Sequence, residues 1–431
     1  MERFIIKGGK PLYGEITLAG AKNAVSKMMV ASLLTDEPCV LENFPAIGDV
    51  AIIVELLERI GSKVEIAGST AKIHTPEIKN SRVLELSRRN RIPILAIGPL
   101  LARTGVAEVP ILGGDQIGPR AVDIHLKALA DLGVQIEITK TSYRAWAKNG
   151  LHGAKIELRF PSVGATENAI LSAVLAKGKT TIMNAALEPE IMNLIMMLQK
   201  MGAIIELAPP RTITIEGVKK LHGVTHRIIP DRNEAISFAC LALGTKGKIL
   251  VKGAVQEHLI TFLNVIRRIG AEYEVMEDGI AFSREGSLKP VSIMTDTHPG
   301  FITDWQQPLA AVLTQAEGKS IIHETIYEDR FGYMKDLQAM GANIKVGIDC
   351  PDGEPCRFAG KGFMHVATIE GPTDIVSANL NVRDLRSGML DVVAALMANG
   401  VSEVEGVQEI DRGYEHIDER LRNLGAEISR V

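Results

Sequence analysis

The chain has 431 residues, 46% hydrophobic but only 4% aromatic, and a formal charge of −4; that length suffices for two or three domains with cores of Ala, Ile, Leu, Val and Met. The slight acidity gives no general attraction to nucleic acid or to anionic membranes, so an anionic ligand has to be met by a local basic cluster. MERFIIKGGK lacks the apolar segment of a signal peptide, and the longest nearly apolar run, IPILAIGPLLA at 92–102, is too short for a bilayer, so a cytoplasmic protein is expected.

In chain order, the first strand is RFIIKGG, followed by a unit that recurs. RIGSKVEI, DLGVQIEI, KMGAIIEL, RIGAEYEV, AMGANIKV and NLGAEISR place glycines at 61, 133, 202, 270, 341 and 425. The spacing is 68–72 residues until a final interval of 84, which has room for an insertion around 349–362. Each glycine stands where an amphipathic helical pattern such as EIMNLIMMLQKMG stops and a strand begins, a position that favours left-handed backbone. Before it come a β-rich stretch (TTIMNAAL, KILVKGA) and an Ala-rich helix (NAILSAVLAKG); after it come two short alternating stretches. The unit reads strand–helix–strand–helix–strand–strand, an α/β architecture with crossover helices. The sixth repeat lacks its last strand and the chain starts with a spare one. The expected division is therefore 1–19 plus 230–431, repeats four to six closed by the N-terminal strand, against 20–229, repeats one to three with a mobile loop near 111–121.

The first helices open on GAKN (Lys22, Asn23), RNRIP (Arg91), SVGATEN (Ser162, Gly164), PDRNE (Asp231), TDWQQ (Asp304) and RDLRSG (Asp384, Arg386). The second helices open on GGDQIGPR, EPEI (Glu188, Glu190), YEDRF (Glu328) and DRGYE (Asp411, Arg412). Helix N-termini suit anions, and cations placed there point to a ligand with more than one negative group. Asp231 with Glu234 and Asp304 with Gln307 also fit capping boxes, a purely structural reading. GGDQIGPR is a glycine-rich tip carrying one carboxylate, Asp115, and by itself reads equally as a solvated turn. Cys39, Cys240, Cys350 and Cys356 show no recognised zinc spacing, and a disulfide framework is not expected at this size. Cys350 and Cys356 flank the turn CPDGEPC, where a metal or disulfide comes into question, but the expectation is no metal and no cofactor.

Together LAGAKNAVSK, GGDQIGPRAVD, PSVGATENAI, EPEI, PDRNEA, TDWQQP, YEDRF, RDLR and DRGYE, in order from about residue 2 to 430, resemble the enolpyruvyl transferase family. The resemblance implies a two-lobed inside-out α/β barrel of six βαβαββ repeats. It also implies transfer of the enolpyruvyl group of phosphoenolpyruvate to the 3′-hydroxyl of UDP-N-acetylglucosamine, a step of cell-wall synthesis, with these two small molecules as substrates, no nucleic acid and no membrane insertion, the oligomeric state being left open. By motif match, Lys22, Asn23, Arg120 and Arg412 would hold phosphoenolpyruvate. Arg91, the segment Arg120, Ala121, Val122, Asp123 and Ile124, and Pro161, Ser162, Val163 and Gly164 would hold the nucleotide sugar. Asp304 would face the 3′-hydroxyl as base or orienter, Ile326 would touch the sugar, and Glu188, Glu190, Asp231, Glu328, Asp384 and Arg386 would support the site. The catalytic set so implied is Asp115, Asp304, Lys22 and Arg412.

Asp115 takes the loop position where most of the family carries a cysteine that donates a proton and is alkylated by fosfomycin. An unperturbed Asp titrates at roughly 3.9, too low for a proton donor. Nearby cations lower that value, whereas desolvation and the charge of bound phosphoenolpyruvate raise it. The expectation is that the closed complex raises it and that fosfomycin leaves no adduct. Phe160 and Ala121 depart from common family residues, and the 349–362 insertion has no assigned role. The rival reading is the shikimate 3-phosphate branch of the family, against which GAKN and the Asp-tipped loop argue; a further rival is a non-catalytic sugar-nucleotide-binding relative.

Overall fold

A computed structural model describes residues 2–87, 90–111, 113, 122–351 and 356–431. Those residues divide into two compact units, one formed by 2–19 with 230–431 and the other by 20–229.

In the first unit, the helices Arg232–Gly244, Gln306–Leu313 and Leu385–Met397 pack on one another. Every residue of the first two is buried, and all of the third except Met397. Sequences such as NEAISFACLALG explain this, because a helix apolar on all sides has no face to give to water. The strands lie outside them, and the edge strand Glu272–Met276 exposes all of its residues but Tyr273. The second unit repeats the arrangement: Ala165 to Ala173 of the helix Val163–Ala173 are all buried. Its neighbour Ile97–Thr104 approaches so closely that a Cβ on Gly98 would lie 2.1 Å from Ser172 Oγ. Helices inside and sheets outside give the inside-out α/β architecture that the resemblance implies.

There are six sheets among the described residues, one for each repeat. In the third, Lys155–Glu157 runs parallel to Lys179–Met183 across a buried crossover helix, and Thr212–Glu216 and Ile204–Ala208 add antiparallel strands. In the second, three strands are extended by an isolated parallel bridge from Arg82 to Glu108. All six repeat glycines have φ between 80° and 121°, backbone that other residues rarely adopt.

The strand Arg3–Lys7 is antiparallel to both Val401–Glu405 and Glu427–Arg430 and lies between them. A second exchange was not anticipated. Tyr13–Thr17 supplies the parallel first strand beside Lys248–Lys252 in repeat four, and Val224–Arg227 supplies the same element beside Cys39–Glu42 in repeat one. The chain thus leaves each unit between a first strand and a first helix, which moves those strands out of sequence order. The insertion at 349–362 falls between the strands Asn343–Gly347 and Val366–Gly371 of repeat five. Among the described residues no helix is long and apolar enough to cross a membrane.

Candidate active site

In the unit 20–229, Lys22 is the first residue of the helix Lys22–Ala31, whose N-cap, Ala21, offers no side-chain acceptor. Its Nζ lies 2.8 Å from Asp49, which stands in the first turn of Gly48–Ile60, where a carboxylate complements the helix dipole. Lys22, Asn23, Lys27, Asp49 and Ile92 help line a cavity of about 50 Å³. That is room for a few waters or one small anionic group, not for a nucleotide sugar. Arg91 is the N-cap of the 3-10 turn Ile92–Ala96, which runs into Ile97–Thr104.

Val122 is the N-cap of Asp123–Asp131, and Asp123 and Ile124 are its first residues. Ser162 caps Val163–Ala173 by accepting the Ala165 N–H at 3.4 Å. The two helix starts lie side by side, since a Cβ on Gly164 would come within 3.0 Å of the His125 ring. Asp123 is ion-paired with Arg159, and Pro161 and Val163 are half-buried. Burial holds His125 down to about 4, and the charge of Arg91 adds to it, so this histidine is neutral between the helix starts. Adjacent helix N-termini beside an arginine are chemically suited to receive an anion. Asp115, Arg120 and Ala121 lie outside the described residues.

Glu188 is the N-cap of Pro189–Lys200 without making a side-chain cap bond, and Glu190 is in its first turn; both are buried. They face a carboxylate that sequence reasoning missed. Glu167 is 1% exposed, with Lys27 Nζ 3.7 Å away. Burial pushes its carboxyl up to about 7; Lys27 opposes that, and Glu190 and Glu188 add to it. Glu167 was visible in PSVGATEN, but a glutamate one turn into a helix reads as solvated until the helix proves to be buried on all sides.

In the other unit, Asp231 caps Arg232–Gly244, accepting the Asn233 and Glu234 N–H groups at 2.8 and 3.2 Å. The return half of the expected capping box is absent: the Glu234 carboxylate instead binds Arg420 and the Ala19 N–H. The Asp304–Gln307 capping box is not formed either. Asp304 lies inside the 3-10 turn Thr303–Trp305, and its two oxygens accept from Arg330 at 2.8 Å and Arg386 at 3.2 Å. Burial opposes the charge on Arg386, but Tyr414, Asp304 and Asp231 outweigh it and hold its pKa above the usual range. The same balance, with Asp304, Asp384 and Glu324 as the outweighing partners, holds for Arg330. The Tyr414 hydroxyl accepts from Arg386 at 3.1 Å, and because the Ser237 hydroxyl donates to the Asn233 carbonyl, Tyr414 donates to Ser237 at 2.7 Å. Glu324 accepts from the Thr303 hydroxyl at 2.7 Å, from Gln306, and from the backbone N–H groups of Ile326 and Tyr327, which shapes the loop carrying Ile326. Arg330 and Glu324 escaped sequence reasoning; YEDRF contains the arginine, but nothing local distinguishes it from an exposed one.

Asp384 forms a complete capping box with Ser387 at the start of Leu385–Met397, so its direct role is to hold that helix end. Glu328 pairs with Arg357 of the 349–362 insertion at 2.8 Å. The placement of Asp411 and Arg412 at a helix start is corrected. Arg412 is the C-cap of the short helix Gln408–Asp411 and pairs with Glu409 at 2.8 Å. Asp411 ends that helix and binds Arg430 at 2.7 Å. The following helix, Ile417–Asn423, begins only after His416, whose φ of 44° breaks the run. His323, Cys350, Cys356 and His365, which the cysteine spacing does not connect, come together with all their candidate ligand atoms within 4.8 Å. Cys39 and Cys240 stay apart as buried free thiols.

Residues 6–421 match the family profile described as EPSP synthase (3-phosphoshikimate 1-carboxyvinyltransferase). Curated relatives carry a different name. UDP-N-acetylglucosamine 1-carboxyvinyltransferase of Protochlamydia amoebophila is 47% identical over 440 residues, covering 100% of this chain and 95% of the relative. UDP-N-acetylglucosamine 1-carboxyvinyltransferase 1 of Carboxydothermus hydrogenoformans is 41% identical, covering 100% and 99%. Among solved structures, the enolpyruvyl transferase NikO from Streptomyces tendae superposes with a TM-score of 0.86 at 23% identity, over 100% of this chain and 99% of that one. EPSP synthase from Acinetobacter baumannii gives 0.72 at 16% identity over the whole of both chains, which shows a shared fold.

Proposed function

Because the chain belongs to the enolpyruvyl transferase family, we propose that it transfers the enolpyruvyl group of phosphoenolpyruvate to the 3′-hydroxyl of UDP-N-acetylglucosamine and releases phosphate. This is the first committed step of peptidoglycan synthesis and belongs in the cytoplasm. The observation that carries the reading is identity of nearly half, along the whole chain, to curated relatives of that name. The family profile, described by the shikimate enzyme, sets the fold; the relatives select the acceptor.

In this reading the 3′-hydroxyl gives its proton to Asp304 as its oxygen adds to the central carbon of phosphoenolpyruvate, and the methylene carbon takes a proton. The phospho-ketal then loses a proton of the new methyl group and phosphate. Lys22 and Asn23, with Arg120 and Arg412, hold the anionic donor, and Lys22 brings a cation already steadied by Asp49. Arg91 and the paired helix starts at Val122–Ile124 and Ser162–Gly164 receive the nucleotide phosphates. Asp304 is held by two arginines, which fix the direction of its carboxylate, and in this reading it faces the 3′-hydroxyl and aims it. Asp115 gives the proton to the methylene carbon.

The test is phosphate release from phosphoenolpyruvate with each acceptor. Turnover with UDP-N-acetylglucosamine and none with shikimate 3-phosphate is expected; the reverse overturns the assignment. Asp115→Asn should lose about 100-fold or more in kcat while Asp115→Cys keeps much of it. An Asn variant at full rate removes Asp115 from the mechanism. Mass spectrometry should find no fosfomycin adduct on the wild-type chain and one on Asp115→Cys.

A further inference from the structure

We propose that His323, Cys350, Cys356 and His365 form a structural zinc site that fastens the 349–362 insertion to the sheet of repeat five. Zinc takes four ligands in a tetrahedron, with bonds of about 2.3 Å to sulfur and 2.0–2.1 Å to nitrogen, which sets ligand atoms roughly 3.3–3.8 Å apart. Here Cys350 Sγ lies 3.4 Å from Cys356 Sγ and 3.4 Å from His365 Nε2, and all four ligand atoms fall within 4.8 Å of one another. Two thiolates and two imidazoles are the donor set that selects zinc over harder ions such as magnesium or calcium.

The surroundings are those of a ligand sphere. His365 Nδ1 lies 2.7 Å from the Phe363 carbonyl, which can only accept, so Nδ1 carries the hydrogen and Nε2 turns its lone pair towards the cysteines. The Phe358 backbone N–H points to Cys356 Sγ at 3.3 Å, a bond that favours a thiolate. Phe358, 1% exposed, packs edge-on to the His365 ring at 5.7 Å and forms an apolar wall. The His323 and His365 ring centroids are 5.4 Å apart. Both cysteines are free thiols.

Four protein ligands leave no open position, so the ion would be structural rather than catalytic. Its place in the fold gives it a task. His323 ends the strand Gly318–His323, His365 directly precedes its partner Val366–Gly371, and Cys350 follows Asn343–Gly347. The ion would tie three strand ends together next to Glu324, whose carboxylate orders the turn at Ile326 and Tyr327. The insertion also reaches that turn directly, through Arg357 and Glu328.

The experiment is metal analysis of the full-length, tag-free protein after zinc loading and gel filtration. About one zinc per chain is expected in the wild type, and about a tenth or less in Cys350→Ser/Cys356→Ser and in His365→Ala. Cobalt(II) in place of zinc should give the visible absorption of a tetrahedral thiolate site. Removing zinc from the wild type with a chelator should lower its Tm by several degrees, which readdition restores, and the double serine variant should not respond. Less than about a tenth of an equivalent in loaded, folded wild type overturns the proposal. So does zinc retained by the double serine variant, or a metal-free Cys350–Cys356 disulfide found by non-reducing mass spectrometry.

Discussion

The two units are built from the same repeat, yet they handle buried charge around the first helices of their repeats in opposite ways. In residues 230–431, Asp304 is bonded to Arg330 and Arg386, and the surrounding acceptors hold both guanidiniums firmly charged. In residues 20–229, Glu167 meets Lys27 only at 3.7 Å, has no hydrogen-bond partner among the described residues, and shares its surroundings with Glu188 and Glu190. Direct bonds to a planar fork fix a charge and its direction. Crowded carboxylates around one lysine instead leave a proton whose position depends on pH and on any anion that arrives. The first arrangement suits aiming a hydroxyl; the second suits receiving a charged substrate.

The contrast is most exposed to attack at Arg330. Arg330→Met should cost about 3–5 kcal/mol in urea unfolding, because it leaves Asp304 and Glu324 without the cation between them; a loss below about 1 kcal/mol would show that the network is not the rigid part. Glu167→Gln tests the other side through pH. The folded-state pKa of Glu167, about 7, is above its ordinary 4.5, so the stability it contributes is complete below pH 4.5 and lost as pH rises to 7. The difference in stability between wild type and variant should show that loss as a downward slope across that window. His125 and His226, both held down to about 4 by burial, slope the other way but are common to both proteins and cancel.

Lys22→Ala should reduce kcat/KM for phosphoenolpyruvate by about 100-fold, or about 2.7 kcal/mol, measured by phosphate release at saturating acceptor. A change confined to stability would reduce Lys22 to a partner of Asp49. The smallest effect belongs to Asp384→Ala, about 1 kcal/mol of thermal stability from a lost helix cap. A collapse of activity without that stability loss would return Asp384 to the substrate's surroundings.

The repeat, its glycines and the helix-inside layering were legible because they rest on local patterns: a helix end, an apolar helix, paired alternating stretches. The exchange of Tyr13–Thr17 and Val224–Arg227 was not, since each strand pairs with a partner far along the chain. Lys22, Arg91, Ser162, Asp231 and Asp384 could be placed because helix starts leave a mark in sequence. Glu167, Glu324 and Arg330 could not, because what singles them out is burial from several sides at once. The cysteine spacing hid the metal-binding group for a related reason: two of its four ligands, His323 and His365, are outside the CPDGEPC segment and meet it only across the sheet.

The position of Arg3–Lys7 between Val401–Glu405 and Glu427–Arg430 bears on how the protein is made. A ribosome delivers this strand before all of 20–229 and its two neighbours only near the end, so its edges stay open throughout translation. Residues 20–229 need nothing synthesised later than themselves and can settle early. The remaining unit must wait for its final segment, and during that delay a chaperone has an unpaired apolar strand to guard.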